Sequence, residues 1–189
     1  MSLRLKLTLV LLGAALLSAT AVNWLGNNPG LFSGQPGHYP DYYMENFSTL
    51  TMEQDGRPKN RLNAEYMAHY PDDDTIELTR PRLEIFRQGE MPIIITSDKG
   101  WVTSDNKVIL LSGKVDLWQD DHEGERQLEV NTSEVRVLLD QDYAETDRHA
   151  TIRKLNTIVD ADGVRAYFKQ NRLELLDNVR GKIEPNKKG

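Results

Sequence analysis

The sequence predicts an all-β domain of antiparallel strands, built from repeated strand-turn-strand units and preceded by one transmembrane helix. Three observations carry that prediction. Apolar and polar residues alternate at period two through much of the chain after Asp41, as in strands with one buried face. A short element recurs four times at steps of 33, 36 and 28 residues, the mark of stacked units. Residues 7–25 form a nearly unbroken apolar run, close to the roughly 20 helical residues that span a bilayer core.

The N-terminal element comes first. The chain has 189 residues, a net charge of -6, 39% apolar and 28% charged residues, and no cysteine. These averages describe one acidic globular protein. The acidic balance argues against a nucleic-acid partner, and the missing cysteines exclude disulfides, thiolate metal sites and Cys nucleophiles. The charge is unevenly placed, however. Residues 1–40 hold Arg4 and Lys6 and no acid, which leaves 21 of the 23 basic and all 29 acidic residues, a net of -8, to the remainder. Leu7 to Leu25 reads LTLVLLGAALLSATAVNWL, with Trp24 at an interfacial position. Arg4 and Lys6 favour a cytoplasmic N-terminus. Two readings stand: an uncleaved single-span anchor, or a cleaved signal peptide for which Ala19-Thr20-Ala21 is a small-x-small site. Either carries the remainder across a membrane. In the anchor reading, residues 1–25 are a cytoplasmic tip and span.

Residues 26–40 hold four Gly and three Pro in fifteen positions. Such a segment holds neither helix nor central strand and reads as a tether. The folded domain is expected over 41–185, followed by a tail at 186–189.

Within the domain, Val135-Arg136-Val137-Leu138-Leu139, Val164-Arg165-Ala166-Tyr167-Phe168 and Val179-Arg180-Gly181-Lys182-Ile183-Glu184 each put mostly apolar residues on one parity. The repeat is a small residue followed by an acid: Ala64-Glu65, Ser97-Asp98, Ser133-Glu134 and Ala161-Asp162. Seven residues after each acid comes a polar turn, at Asp72, Asp105, Gln141 and Lys169. Seventeen or eighteen residues after it comes an apolar position, at Leu83, Val115, Ile152 or Val179. The unit is strand, turn, strand, corner, strand, and neighbouring units bury their apolar faces by stacking. Such a stack leaves two open edges, which invite pairing with other chains. The first candidate edge strand is Tyr42–Gln54, with Gly56 in its closing turn, and the last is Arg172–Pro185. Pro185, Lys187 and Lys188 also suit an edge that discourages unwanted pairing.

Catalytic and metal signatures are missing. His38, His69, His122 and His149 show no His-x-x-x-His or His-Glu-x-x-His spacing. His69 beside Asp72-Asp73-Asp74 is the one cluster, but these acids lack the alternating spacing and glycine of an EF-hand loop and read as a solvated turn. There is no Gly-x-Ser-x-Gly elbow and no phosphate-binding Gly-x-x-x-x-Gly-Lys loop. No catalytic residue, metal or cofactor is expected, and the chain is not expected to be an enzyme.

Taken in order, these elements resemble the LptC family of lipopolysaccharide export proteins. The resemblance covers essentially the whole chain. It rests on the span and linker, on LNAEYMAHYPDDDTIELTRPRLEIF, on TSDKGWVTSDNKVILLSGKVDLW and on the C-terminal LELLDNVRGKIEP. It implies a twisted, slightly open antiparallel β-jelly roll in the periplasm, held to the inner membrane by an uncleaved span. It implies lipopolysaccharide as cargo, received from the LptB–LptF–LptG extractor and passed to LptA by edge-to-edge stacking; the alternatives are a cleaved soluble periplasmic lipopolysaccharide bridge like LptA and a structural β-repeat scaffold without lipid cargo.

Parity supplies the candidate groove residues Phe47, Leu78, Phe86, Val115, Leu117, Val137, Leu139, Ile152, Phe168, Leu173, Leu175, Val179 and Ile183. The resemblance puts Phe47, Leu78, Leu173 and Ile183 foremost. It implies an LptA-contacting edge at Arg172, Glu174, Leu176, Val179, Arg180, Gly181 and Ile183. It implies an extractor-contacting edge at Tyr42, Met44, Asn46, Ser48 and Leu50. Arg80, Arg82, Lys114 and Arg180 are candidates for meeting the sugar-phosphate part of the lipid.

Overall fold

The structure is a computed structural model that describes residues 37–183. The apolar run at 7–25, the Ala19-Thr20-Ala21 sequence, most of the Gly/Pro segment, and Pro185, Lys187 and Lys188 lie outside the described residues. Among the described residues no helix is long and apolar enough to cross a membrane.

From Tyr42 the chain is strand after strand: β1 (Tyr42–Met52), β2 (Pro58–Tyr70), β3 (Thr75–Thr79), β4 (Arg82–Arg87), β5 (Glu90–Val102), β6 (Val108–Asp120), β7 (Arg126–Leu138), β8 (Tyr143–Lys154), β9 (Thr157–Tyr167) and β10 (Arg172–Ile183). They form one ten-stranded sheet in chain order, with β3 and β4 sharing the place between β2 and β5. All pairings are antiparallel. The first hairpin closes at Gly56, whose N–H donates to the Glu53 carbonyl at 3.0 Å.

Most long strands break register near their middles. The breaks fall at Ser97/Lys99 in β5, Leu111/Lys114 in β6, Asn131/Arg136 in β7, Thr146/His149 in β8 and Asp177/Arg180 in β10. Left-handed residues sit on the same line: Asn46, Arg80, Gly113, Glu134, Gly163 and Asn178. An extra residue in one strand bends it and sharpens its twist. A row of such bulges creases the whole sheet. On one side of the crease lie the second half of β2, β3, and the first halves of β6, β8 and β10. On the other lie the first half of β2, β4, and the second halves of β6, β8 and β10.

The two walls fold toward each other. Ile95, Val115, Leu117 and Val130 of one wall share a small 30 Å³ void with Val135, Ala144, Val164, Ala166 and Leu173 of the other. The buried cluster extends through Leu62, Leu78, Leu83, Ile85, Ile93, Ile109, Leu111, Val137, Ile152 and Phe168. Among the described residues every buried polar residue is uncharged: Asn60, Thr75, Ser97 and Thr146.

The repeated small-acid pair is the crease itself. Each acid reaches the bend of the next strand. Glu65 pairs with Arg80. Asp98 Oδ2 accepts the Lys114 backbone N–H at 2.7 Å. Glu134 Oε2 accepts from Arg148 Nε at 2.5 Å. Asp162 Oδ2 accepts from Asn178 Nδ2 at 2.7 Å, and its other oxygen meets His149 Nδ1 at 2.9 Å. The His149 and Asn178 hydrogen bonds hold the Asp162 carboxyl below its usual range. The preceding small residue faces inward where the walls converge: Ala64, Ser97 and Ala161 are buried and Ser133 is half-buried. At Gly113, φ is +83°, and an added Cβ would collide with the Asp98 carboxylate. At Gly163 φ is +84°, and a Cβ would lie 2.8 Å from Leu176 Cδ1.

A second fixture holds the start of β1. His69 of β2 sets Nδ1 at 2.7 Å from Asp41 Oδ1 and Nε2 at 2.9 Å from Asp74 Oδ1. Its ring stacks on Tyr42 at 4.6 Å. A neutral imidazole donates through one nitrogen only, so both bonds form together in the imidazolium. The hydrogen bonds to Asp41 and Asp74 raise the His69 pKa accordingly.

Two predictions follow from these contacts. Asp98→Ala is expected to lower stability by about 1.5–3 kcal/mol, the range for a lost hydrogen bond to a charged group. Gly113→Ala is expected to lower it by more than ~1 kcal/mol, because φ is positive there. In the Asp98→Ala background the Gly113→Ala penalty should shrink, since the colliding carboxylate is gone. Urea midpoints of the four proteins test this, and strictly additive losses would refute the coupling. For His69 the folded pKa lies above the ordinary 6.5. Its contribution is therefore complete below about pH 6.5 and disappears as pH rises through the higher folded value. Unfolding scans from pH 5.5 to 8.5 should show this loss in the wild type and not in His69→Gln; identical pH slopes would exclude it.

Candidate functional site

The site is the uncharged interior between the walls, together with the two uncovered sheet edges. Period-two burial turns one side chain in two toward the facing wall. Val115, Val137, Ile152, Phe168, Leu78 and Leu117 are all buried there. Phe47, Leu139, Leu173 and Leu175 are half-buried and pack against them. These ten sequence-picked residues are brought together by the crease.

Three others are placed differently. Phe86 has the opposite parity from buried Leu83 and Ile85, and its ring lies 5.5 Å from the Arg61 guanidinium carbon. Val179 and Ile183 are 50% and 77% exposed. Beyond Asn178 the last strand runs along the margin of its wall, with only β9 beside it. Alternation along that segment therefore does not correspond to a covered face.

Opposite the crease, where hairpin ends of the two walls meet, the interior opens. A cavity of about 630 Å³ is lined by Ile93, Leu117, Leu128, Ala166, Phe168 and Leu173, with Asp120, Lys154 and Arg172 at its margin. Leu117, Ala166 and Leu173 also border the small void nearer the crease, so the apolar lining is continuous from crease to seam. A second cavity of about 620 Å³ lies between Arg57, Phe86, Arg87, Asp142 and Lys169. Both cavities share Gly89, Glu90, Phe168 and Asn171.

Between the two cavities a polar bridge crosses from wall to wall. Arg87, at the end of β4, donates through Nη1 to the Phe168 carbonyl at 3.2 Å and to Asn171 Oδ1. Asn171 Nδ2 donates to Glu90 Oε1 at 3.0 Å, and Glu90 Oε2 lies 2.5 Å from Arg87 Nη2. Nearby, Lys169 Nζ meets Asp142 Oδ2 at 2.8 Å, which raises the Lys169 pKa. Burial, then the hydrogen bond to Glu145, pushes the Tyr143 hydroxyl up to about 12, so it stays a donor.

The candidate cations sit away from this seam. Arg80 and Lys114 lie at the crease, paired with Glu65 and Asp116. Arg82 pairs with Glu84 at 3.1 Å and stacks over Trp118 on the outer face. Arg180, exposed, lies just past the β10 bend and lowers the Asp162 pKa. The seam residues Arg87, Glu90 and Asn171 were not among the sequence candidates. Only the polar turn at Lys169 pointed near them.

Both edges run the length of the sheet. β1 pairs with β2 alone, and Tyr42, Met44, Asn46, Ser48 and Leu50 are exposed along it. β10 pairs with β9 alone; Arg172, Arg180 and Gly181 are exposed on it, while Glu174 and Leu176 are half-buried.

Among solved structures the protein is similar to LptH of Pseudomonas aeruginosa, described as the LptA-homologous periplasmic component of the lipopolysaccharide transport device. The TM-score is 0.52 at 8% identity, covering 67% of this chain and 95% of that one. At that identity the likeness concerns the fold: the creased sheet is an LptA-like β-jelly roll. No curated protein matches the sequence. The family model for LptC-related lipopolysaccharide assembly matches residues 8–184, nearly the full length, and the chain belongs to the LptC family.

Proposed function

We propose that the protein carries lipopolysaccharide, holding its acyl chains between the two walls. In this reading it receives the lipid from the LptB–LptF–LptG complex and passes it to LptA. Members of the family are non-enzymatic, and the chain is not an enzyme. The observation that carries the reading is the uncharged apolar interior, continuous from the crease to the 630 Å³ opening. Each acyl CH₂ moved out of water contributes roughly 0.8 kcal/mol. A fully enclosed pocket for several chains would hold its cargo too tightly to release it. An interior open along one side lets the chains slide while the sugars stay in water.

The organisation proposed with this function is a cytoplasmic tip and single span at 1–25, a tether at 26–40, a periplasmic roll at 41–185 and a short tail. Phe47, Leu78, Val115, Val137, Ile152, Phe168, Leu173 and Leu175 are the acyl-contacting set, with Val179 and Ile183 continuing it along the open margin. The exposed β1 edge faces the extractor and the β10 edge faces LptA, each through backbone groups that have no strand partner on their outer side.

A photo-crosslinking amino acid at Leu173 or Ile183, in the energised export system, is expected to capture lipopolysaccharide. The same probe at Arg61, on the outer face, should not. Probes at Met44 and Leu50 should capture the extractor, and probes at Glu174 and Arg180 should capture LptA. Equal lipid capture at Leu173 and Arg61, or none at either Leu173 or Ile183, would overturn the carrier reading.

A further inference from the structure

We propose that the Arg87–Glu90–Asn171 bridge is a gate in the seam, which opens when lipid chains pass and closes behind them. The inference rests on the carrier reading above.

Position is the first argument. The bridge joins the β4–β5 turn to the turn before β10, residues 81 to 84 apart in sequence. Those turns belong to opposite walls, on the side away from the crease. An amphiphile with chains inside and sugars outside must occupy the seam along its path. A bridge spanning the seam blocks lateral movement from one cavity to the other, since both cavities end on Glu90 and Asn171.

Strength is the second. Phe168, buried beneath the bridge, closes the interior below it. The Arg87 side chain is only 12% exposed, and its Nε is buried without a hydrogen-bond partner. A buried donor left unpaired is costly. Opening the bridge returns that Nε to water, which offsets part of what the broken bonds lose. The contact is therefore built to hold the walls in register and yet to yield, unlike the crease, where the acid of every unit is paired.

Chemistry is the third. When the bridge parts, Arg87 and Glu90, three residues apart on one turn, stay paired at one lip, and the Asn171 amide is left at the other. The Arg87 cation suits a passing phosphate, and the Glu90 anion opposes its staying. Rapid release rather than capture is the expected result.

The test uses the full chain, which contains no native cysteine. Gln88 and Lys169 are exposed on the two turns and line the same cavity. Gln88→Cys and Lys169→Cys are introduced together and joined by a short bismaleimide, with a monofunctional maleimide as the control. Loading of purified fluorescent lipopolysaccharide is then followed. The joined protein is expected to load at least tenfold more slowly than the control. Arg87→Ala is expected to load and release several-fold faster. Spin labels at 88 and 169 should move apart when lipopolysaccharide binds. Normal loading of the joined protein, or an unchanged label distance at saturation, overturns the gate and leaves the carrier reading intact. Failure of the unmodified chain to bind lipopolysaccharide overturns both.

Discussion

The crease on which the two walls hinge is the constraint that everything else depends on. A ten-stranded antiparallel sheet left flat would expose one apolar face along its whole length. Here most long strands are bent at mid-length, and two halves of the same sheet cover each other. The bend requires extra residues, left-handed backbone and something to hold neighbouring bulges in line. Gly113 and Gly163 supply the backbone freedom, and Glu65, Asp98, Glu134 and Asp162 tie each bend to the next. Because the ties are polar and lie outside, the inside of the crease can stay dry. Without cysteine, burial and these ties are what hold the walls together.

Much of this was legible in the sequence. Period two identified the strands, and Val135 to Leu139 and Val164 to Phe168 have the inward parity that alternation assigned. The small-acid repeat was visible as a recurrence. Its reason was not, because Asp98 and Lys114, or Asp162 and Asn178, meet only when consecutive strands bend at the same height. Phe86 has the parity opposite to Leu83 and Ile85 of its own strand, and it lines the second cavity beside the register break at Ile85/Arg87. Parity could not tell that Val179 and Ile183 lie on a margin that no further described strand covers. Arg87, Glu90 and Asn171 carried no pattern, since their meeting depends on two turns more than eighty residues apart.

The crease and the seam have opposite chemistry for a physical reason. At the crease the polar ties join adjacent strands, whose separation is fixed by ladder hydrogen bonds, so the geometry hardly changes. At the seam the polar contacts join turns of opposite walls, whose separation is set by packing alone. A polar tie is therefore a fixture in one place, while in the other the hydrogen bonds from Arg87 and Glu90 to Asn171 and the Phe168 carbonyl are free to part. The interior between them is wedge-shaped: a 30 Å³ void near the middle and cavities of about 630 and 620 Å³ at the open side. A wedge widens with a small rotation about its apex, and side chains near the apex move least.

The same geometry limits what can pair with the edges. β10 does not present one straight edge. Its first part lies in one wall, its last part in the other, and Asn178, at φ 51°, marks the turn between them. A straight strand can pair with one part or the other, gaining half of the available backbone hydrogen bonds. A strand that pairs with both must bend at the same height, as the strands of a creased sheet already do. The partner that gains the most is thus another folded roll in register. Once both walls are continued across the junction, the space between them is continued too. In the proposed edge-to-edge arrangement, selectivity for a partner and continuity of the apolar interior would both come from one feature, the bend that the acid of each repeat holds in place.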